Sequence, residues 1–178
     1  AKGSAIVVGT LGSSTLIDQL AKQGKIDARQ LKGKTEKYII TIVDGKLVIA
    51  GSDRRGTIYG IYELSRQIGV SPWYYWMDVP VAKHKDIYVN NGIYTDGEPA
   101  VRYRGIFLND EAPCLTTWVK NTFGTNYGGH KFYEKVFELL LRLKGNYIWP
   151  AMWGWAFYAD DPLNGKTADE MGIMIGTS

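Results

Sequence analysis

The chain has 178 residues, 45% of them hydrophobic and 22% charged, a balance that supports a packed core and excludes an intrinsically disordered segment. Its 21 basic and 18 acidic residues leave a net charge of +3, and the basic residues are scattered rather than gathered into the continuous stripe that nucleic acid requires. No apolar run is long enough for a bilayer-spanning helix, and the single Cys114 excludes a disulfide scaffold.

Ala1 to Ser4 precede Ile6-Val7-Val8, an apolar stretch too short for a secretory signal. The chain begins without Met, which is read here as loss of an upstream segment. The β-branched run ends at Gly9-Thr10-Leu11-Gly12. Leu16, Ile17 and Leu20 then recur at helical spacing up to Gly24, with Ser13 or Ser14 as the expected N-cap. Tyr38–Val43 and Leu47–Ala50 are β-rich and flank Asp44-Gly45, the best hairpin signal in the chain. Gly51-Ser52-Asp53 opens a second helix whose Ile58, Ile61, Tyr62, Leu64, Ser65 and Ile68 share a face and which Gly69 stops. Residues 1 to about 90 therefore predict helices packed on a small sheet.

Pro72, Pro80, Asn90-Asn91-Gly92 and Asp96-Gly97-Glu98-Pro99 then break up the chain. Beyond Pro99 the pattern changes. Val101–Leu108 predicts a strand, and a loop holding Gly124, Gly128 and Gly129 leads to a helix from His130 to Lys144. Phe132, Val136, Leu139, Leu140 and Leu143 line the inner face of that helix, and Gly145 ends it. Asn146–Trp149 predicts a second strand, Thr167–Met171 a short helix and Ile173–Ile175 a third strand. Such alternation predicts parallel strands with right-handed crossovers. A parallel sheet needs cover on both faces, and three strands cannot close a barrel. The chain is therefore expected to be the front piece of something longer.

Four features bear on chemistry. The Gly9–Ser14 loop lacks the third glycine of a dinucleotide fingerprint and the Gly-Lys of a phosphate loop, which leaves a plain strand-to-helix turn. Arg54-Arg55 could grip a carboxylate or phosphate, but the simpler reading is two surface arginines after an N-cap. Asn109-Asp110-Glu111 follows Ile106-Phe107-Leu108 at the C-terminal end of a strand, where α/β folds place their sites. Strand alternation puts Asn109 and Glu111 on the face of Gly105 and Phe107 and Asp110 on the other, so Asp110 and Glu111 do not form a catalytic pair by themselves. A solvated turn before Pro113 is the bland alternative. Finally, residues 147–158 hold six aromatics in a loop-rich stretch, which suits a sugar cleft or a protein-docking patch. His84, His130 and Cys114 stand at no metal-ligand or nucleophile spacing, so no metal site is expected.

The residues resemble glycoside hydrolase family 115. The resemblance lies in GSDRRGTIYGIYELSR from Gly51 to Arg66, VSPW from Val70, YRGIFLNDEAP from Tyr103 and HKFYEKVFELL from His130. It continues in LKGNYIWPAMWG from Leu143 and MIGTS at the end of the chain. It covers nearly the whole chain from Ile6 onward. It implies an α+β domain over residues 1–98, like the one preceding the barrel of hexosaminidases. The first strands and helices of a truncated (β/α)8 TIM barrel then follow over 99–178. It also implies a secreted or periplasmic xylan α-1,2-glucuronidase that removes (4-O-methyl-)glucuronic acid from glucuronoxylan with inversion. The implied partners are glucuronoxylan or its oligosaccharides, with neither nucleic acid nor membrane, and dimerisation uses later domains. No cofactor and no metal are implied.

Carried over by position, Glu111 is the expected general base or water-positioning group, with Asp110 as the alternate. Asn109, Trp149 and Trp153 are the expected substrate-binding residues. The general acid is expected beyond Ser178, so the chain alone is expected to be inactive. The alternative from another class is a non-catalytic carbohydrate-binding or docking module that uses the exposed Trp residues.

Overall fold

Asp44 and Gly45 both adopt positive φ, 50° and 73°, and so turn β2 (Tyr38–Val43) directly onto β3 (Lys46–Gly51). The strand β1 (Ile6–Thr10) lies parallel to β3, and β4 (Ile93–Tyr94) lies antiparallel to β2, giving the order β1-β3-β2-β4. The computed structural model describes residues 6–150 and 154–176, in two units that span 1–102 and 103–178.

Alternation along β2 and β3 sorts the first unit into two layers. Ile39, Val43, Val48 and Ala50 join Ile26, Leu31 and Ile17 of α1 (Thr15–Lys22) in one buried cluster. Tyr38 and Ile49 point the other way and meet Gly60 of α2 (Arg54–Gln67). Each such side chain contributes about 1.5–3 kcal/mol when fully buried. The caps differ in mechanism. Ser14 flanks α1 but its hydroxyl makes no cap bond; Asp18 instead accepts from Gly12 N at 2.7 Å. At α2, Asp53 Oδ1 accepts from Gly56 N at 2.8 Å, as its position predicts. Arg55 donates to the buried Glu36 carboxylate at 2.5 Å, so that arginine is engaged within the fold.

The second unit is a parallel sheet in the order β5-β6-β7, formed by Gly105–Leu108, Tyr147–Pro150 and Met174–Ile175. Its helices are α3 (Cys114–Phe123), α4 (His130–Arg142), α5 (Phe157–Asp160) and α6 (Leu163–Met171). The long α4 buries Phe132, Tyr133, Val136, Phe137, Leu139, Leu140 and Leu141. Leu143, expected on that inner face, is exposed because the helix has ended and Leu143 is its C-cap. Residues 114–123, read from sequence as part of a loop, form α3 and end at Gly124 in the left-handed conformation. Among the described residues no helix is long and apolar enough to cross a membrane.

Gly105 decides how closely β5 and β6 approach. The two strands pair with Gly105 opposite Tyr147, and a Cβ at Gly105 would collide with the Tyr147 carbonyl. Unlike a flexible side chain, backbone cannot give way. Gly105→Ala is therefore expected to destabilise the 103–178 unit by about 3 kcal/mol or more, read from the urea midpoint. An unchanged midpoint would show that the strands are not held this tightly.

Candidate active site

In a parallel sheet joined by helices, each helix runs back against the strands. The starts of α4 and α6 therefore lie at the C-terminal end of the β5–β6–β7 sheet, together with residues 109–113 and 154–162. The sheet has one face turned to helices, where Ile148 and Pro150 are buried. On the opposite face Phe107 and Trp149 sit side by side in the register, 58% and 41% exposed. Their rings meet edge to face with centroids 5.7 Å apart. Below them Tyr103 and Tyr147 stand at 6.0 Å. An aromatic strip thus leads up to the carboxylates.

β5 ends at Leu108, and the three residues after it divide by exposure. Asn109 is exposed, and its Oδ1 accepts from Glu111 N at 3.2 Å, which folds the turn. Glu111 is exposed, and its carboxylate has no hydrogen-bond or ion-pair partner among the described residues. Asp110, by contrast, is 1% exposed. Its charge is felt by Tyr127 and Tyr133, both buried. Burial first, with Asp110 adding to it, pushes the Tyr133 phenol up to about 12, and burial raises Tyr127 as well. The Tyr127 hydroxyl is sealed from solvent without a well-aligned hydrogen-bond partner among the described residues. Glu111 is thus open to solvent, and Asp110 is not.

The aromatics after β6 also divide. Phe157 is core, edge-on to Tyr133 at 4.7 Å, and Trp155 is half-buried against Tyr127 at 5.8 Å. They therefore belong to packing, and among the described residues of this stretch Trp149 and Tyr158 present large exposed rings. Trp153, expected to bind substrate, lies outside the described residues.

Sequence reading missed a pairing. His130, the first residue of α4, donates its backbone N–H to Asp161 Oδ2 at 2.9 Å, and its ring Nδ1 lies 2.7 Å from the same oxygen. Asp161 Oδ1 accepts from Leu163 N at 2.9 Å, at the start of α6. One carboxylate therefore holds the beginnings of two helices. Next to it Asn164, fully buried, donates to the carbonyls of Gly128 at 2.5 Å and Phe157 at 2.7 Å. The only sequence signal was an Asp-Pro at a helix start, which marks a cap but not a partner 31 residues away. Among the described residues no group of three His, Cys, Asp or Glu side chains is arranged to hold a metal.

The hydrogen bonds to His130, backbone first, and to Leu163 N hold the Asp161 carboxyl at about 2, below its ordinary 3.8. Between those values the unfolded chain binds more protons than the folded one. The stabilisation is therefore complete above about pH 4 and is lost as pH falls through 2. Asp161→Asn is expected to cost about 1–2 kcal/mol at pH 7 and almost nothing at pH 2, measured by urea denaturation at both. An equal cost at both would mean that the charge is irrelevant.

A helix-covered parallel sheet with a carboxylate and aromatic rings at its C-terminal end is an arrangement that glycoside hydrolases use. Comparison with solved structures agrees. A family 20 β-N-acetylglucosaminidase shares the fold, with a TM-score of 0.51 and 15% identity over 98% of this chain and 40% of that one. A family 115 4-O-methyl-α-glucuronidase with specificity for decorated arabinogalactans superposes with a TM-score of 0.87. It is 40% identical over 97% of this chain and 23% of its own length. The glycosyl hydrolase family 115 profile matches residues 96–178. The chain belongs to glycosyl hydrolase family 115. It spans about a quarter of the length of that relative, and no curated protein matches it.

Proposed function

We propose that this chain is part of an α-glucuronidase that releases (4-O-methyl-)glucuronic acid α-1,2-linked to xylan, with inversion at the anomeric carbon. The observation that carries the reading is 40% identity over 97% of the chain to a 4-O-methyl-α-glucuronidase. In this reading β5, β6 and β7 are the first three strands of a (β/α)8 barrel, residues 1–98 form the domain before it, and the whole protein is secreted or periplasmic.

Inversion needs two carboxyl groups about 6.5–9.5 Å apart, one protonating the leaving oxygen and one activating a water on the opposite side of the sugar. Glu111 is the proposed base. Its exposure and its carboxylate, free of partners among the described residues, support that role. Asp110, buried beneath it, is proposed to hold the turn and the local charge rather than to meet the sugar. The general acid comes from a later strand of the barrel, so the 178 residues alone are expected to release nothing. Trp149, extended by Phe107, is the proposed platform for a sugar face, with Asn109 at its edge and Trp153 nearby in sequence.

The relative acts on decorated arabinogalactans, which makes the polymer a separate question from the bond. The test is release of glucuronic acid by the protein extended to the length of that relative, on glucuronoxylan and on glucuronate-decorated arabinogalactan in parallel. Release from xylan is expected, with Glu111→Gln lowering kcat by roughly 10³-fold or more and Trp149→Ala raising KM by about 10-fold. Release from arabinogalactan alone would move the substrate and keep the bond. Equal rates for Glu111→Gln and its parent would remove Glu111 from the mechanism.

A further inference from the structure

The His130–Asp161 pair holds more than two helix starts require. Asp161 already caps α4 through His130 N and α6 through Leu163 N, and any residue at position 130 other than proline could donate the first of these bonds. The imidazole is an addition. The Asp161 carboxylate can only accept, so Nδ1 carries the proton that it receives, and in the neutral form of such a ring Nε2 carries a lone pair. Nε2 has no partner among the described residues, and the side chain is 31% exposed. The ring is also held still. The oxygen that takes its Nδ1 proton is itself tied to the backbone of α4, and the other oxygen of that carboxylate is tied to α6. An acceptor so fixed loses little freedom when it binds. Its helix begins at the same end of the sheet as Glu111 and Trp149.

We propose that His130 is a further substrate-contacting residue of the glycosidase site, its Nε2 accepting a hydrogen bond from a hydroxyl of the bound saccharide. The inference rests on the reading of function above and adds a residue to that site. Asp161 is then a positioning residue that acts through His130.

Two substitutions separate the ring nitrogens. His130→Asn puts an amide nitrogen near the place of Nδ1, keeps the bond to Asp161 and removes Nε2. His130→Gln reaches the place of Nε2 with an acceptor and gives up the bond to Asp161. In the family-length protein, His130→Asn is expected to keep the urea midpoint of the parent and to lose about 10-fold in kcat/KM, mostly through KM. His130→Gln is expected to recover part of that loss despite a lower midpoint. If His130→Asn keeps full kcat/KM, the ring is only a cap and the proposal fails.

A second measurement decides the matter without turnover. The imidazole NMR signals of His130 and His84, each assigned by its loss in a substituted variant, can be followed separately while a glucuronoxylo-oligosaccharide is added to the family-length protein. Movement of His130 alone supports the contact. Movement of neither, or of both together, overturns it. A family-length parent that releases no acid would sink the reading of function, and the NMR result would still decide His130.

Discussion

One carboxylate organises the C-terminal end of the parallel sheet. Asp161 accepts from the first backbone N–H of α4, from the ring of the same residue and from the start of α6. Helix starts carry unsatisfied N–H groups and partial positive charge, so an ionised side chain shared between two of them is stabilised twice over. The same bonds keep the carboxyl ionised down to about pH 2. Asn164 completes the knot by taking up carbonyls on either side, Gly128 before α4 and Phe157 after β6. The loops after the first two strands of the sheet are therefore tied to each other by hydrogen bonds rather than left to pack independently. Whatever chemistry happens at this end happens on loops that the knot holds in place.

Above that knot, burial sorts groups that look alike in sequence. Asp110 and Glu111 are adjacent carboxylates, yet one is buried, its charge felt by Tyr127 and Tyr133, and the other meets solvent. A buried carboxylate is costly to disturb, whereas an exposed one stays in contact with solvent. The aromatics sort in the same way. Trp155 and Phe157 close over the tyrosines of the 127–133 segment, while Trp149 and Phe107 stand in the open on the face away from the helices.

Much of the architecture was legible in the residues. Asp44-Gly45 announced its hairpin because Asp-Gly readily takes positive φ at both positions, which joins such strands closely, and the apolar spacing of 132–141 announced α4. Resemblance to family 115 added what periodicity could not supply, and the 40% identity to a solved member supports it. The α3 helix was not read because it buries only Val119 and its sequence carries no strong stripe. Gly124 was its one local marker, taken for part of a loop. Ser14 was read as the N-cap because its residue type and place fit, and it does occupy that position, but its hydroxyl makes no cap bond; Asp18 ties the preceding turn through Gly12 N.

The sequence by itself determined most of the segments that become strand or helix, α3 excepted, because local sterics and the period of apolar residues act within a few positions. It also placed the polar cluster 109–111 at a strand end, since strand and cluster are contiguous. Only the tertiary structure decided that Asp110 is buried while Glu111 is exposed, that Phe107 and Trp149 share a face, and that Asp161 reaches His130. Each of these depends on groups brought together across parallel strands and helix starts, 31 residues apart for His130 and Asp161. Burial and hydrogen-bond partners at that separation follow from packing, which no local pattern in the chain specifies.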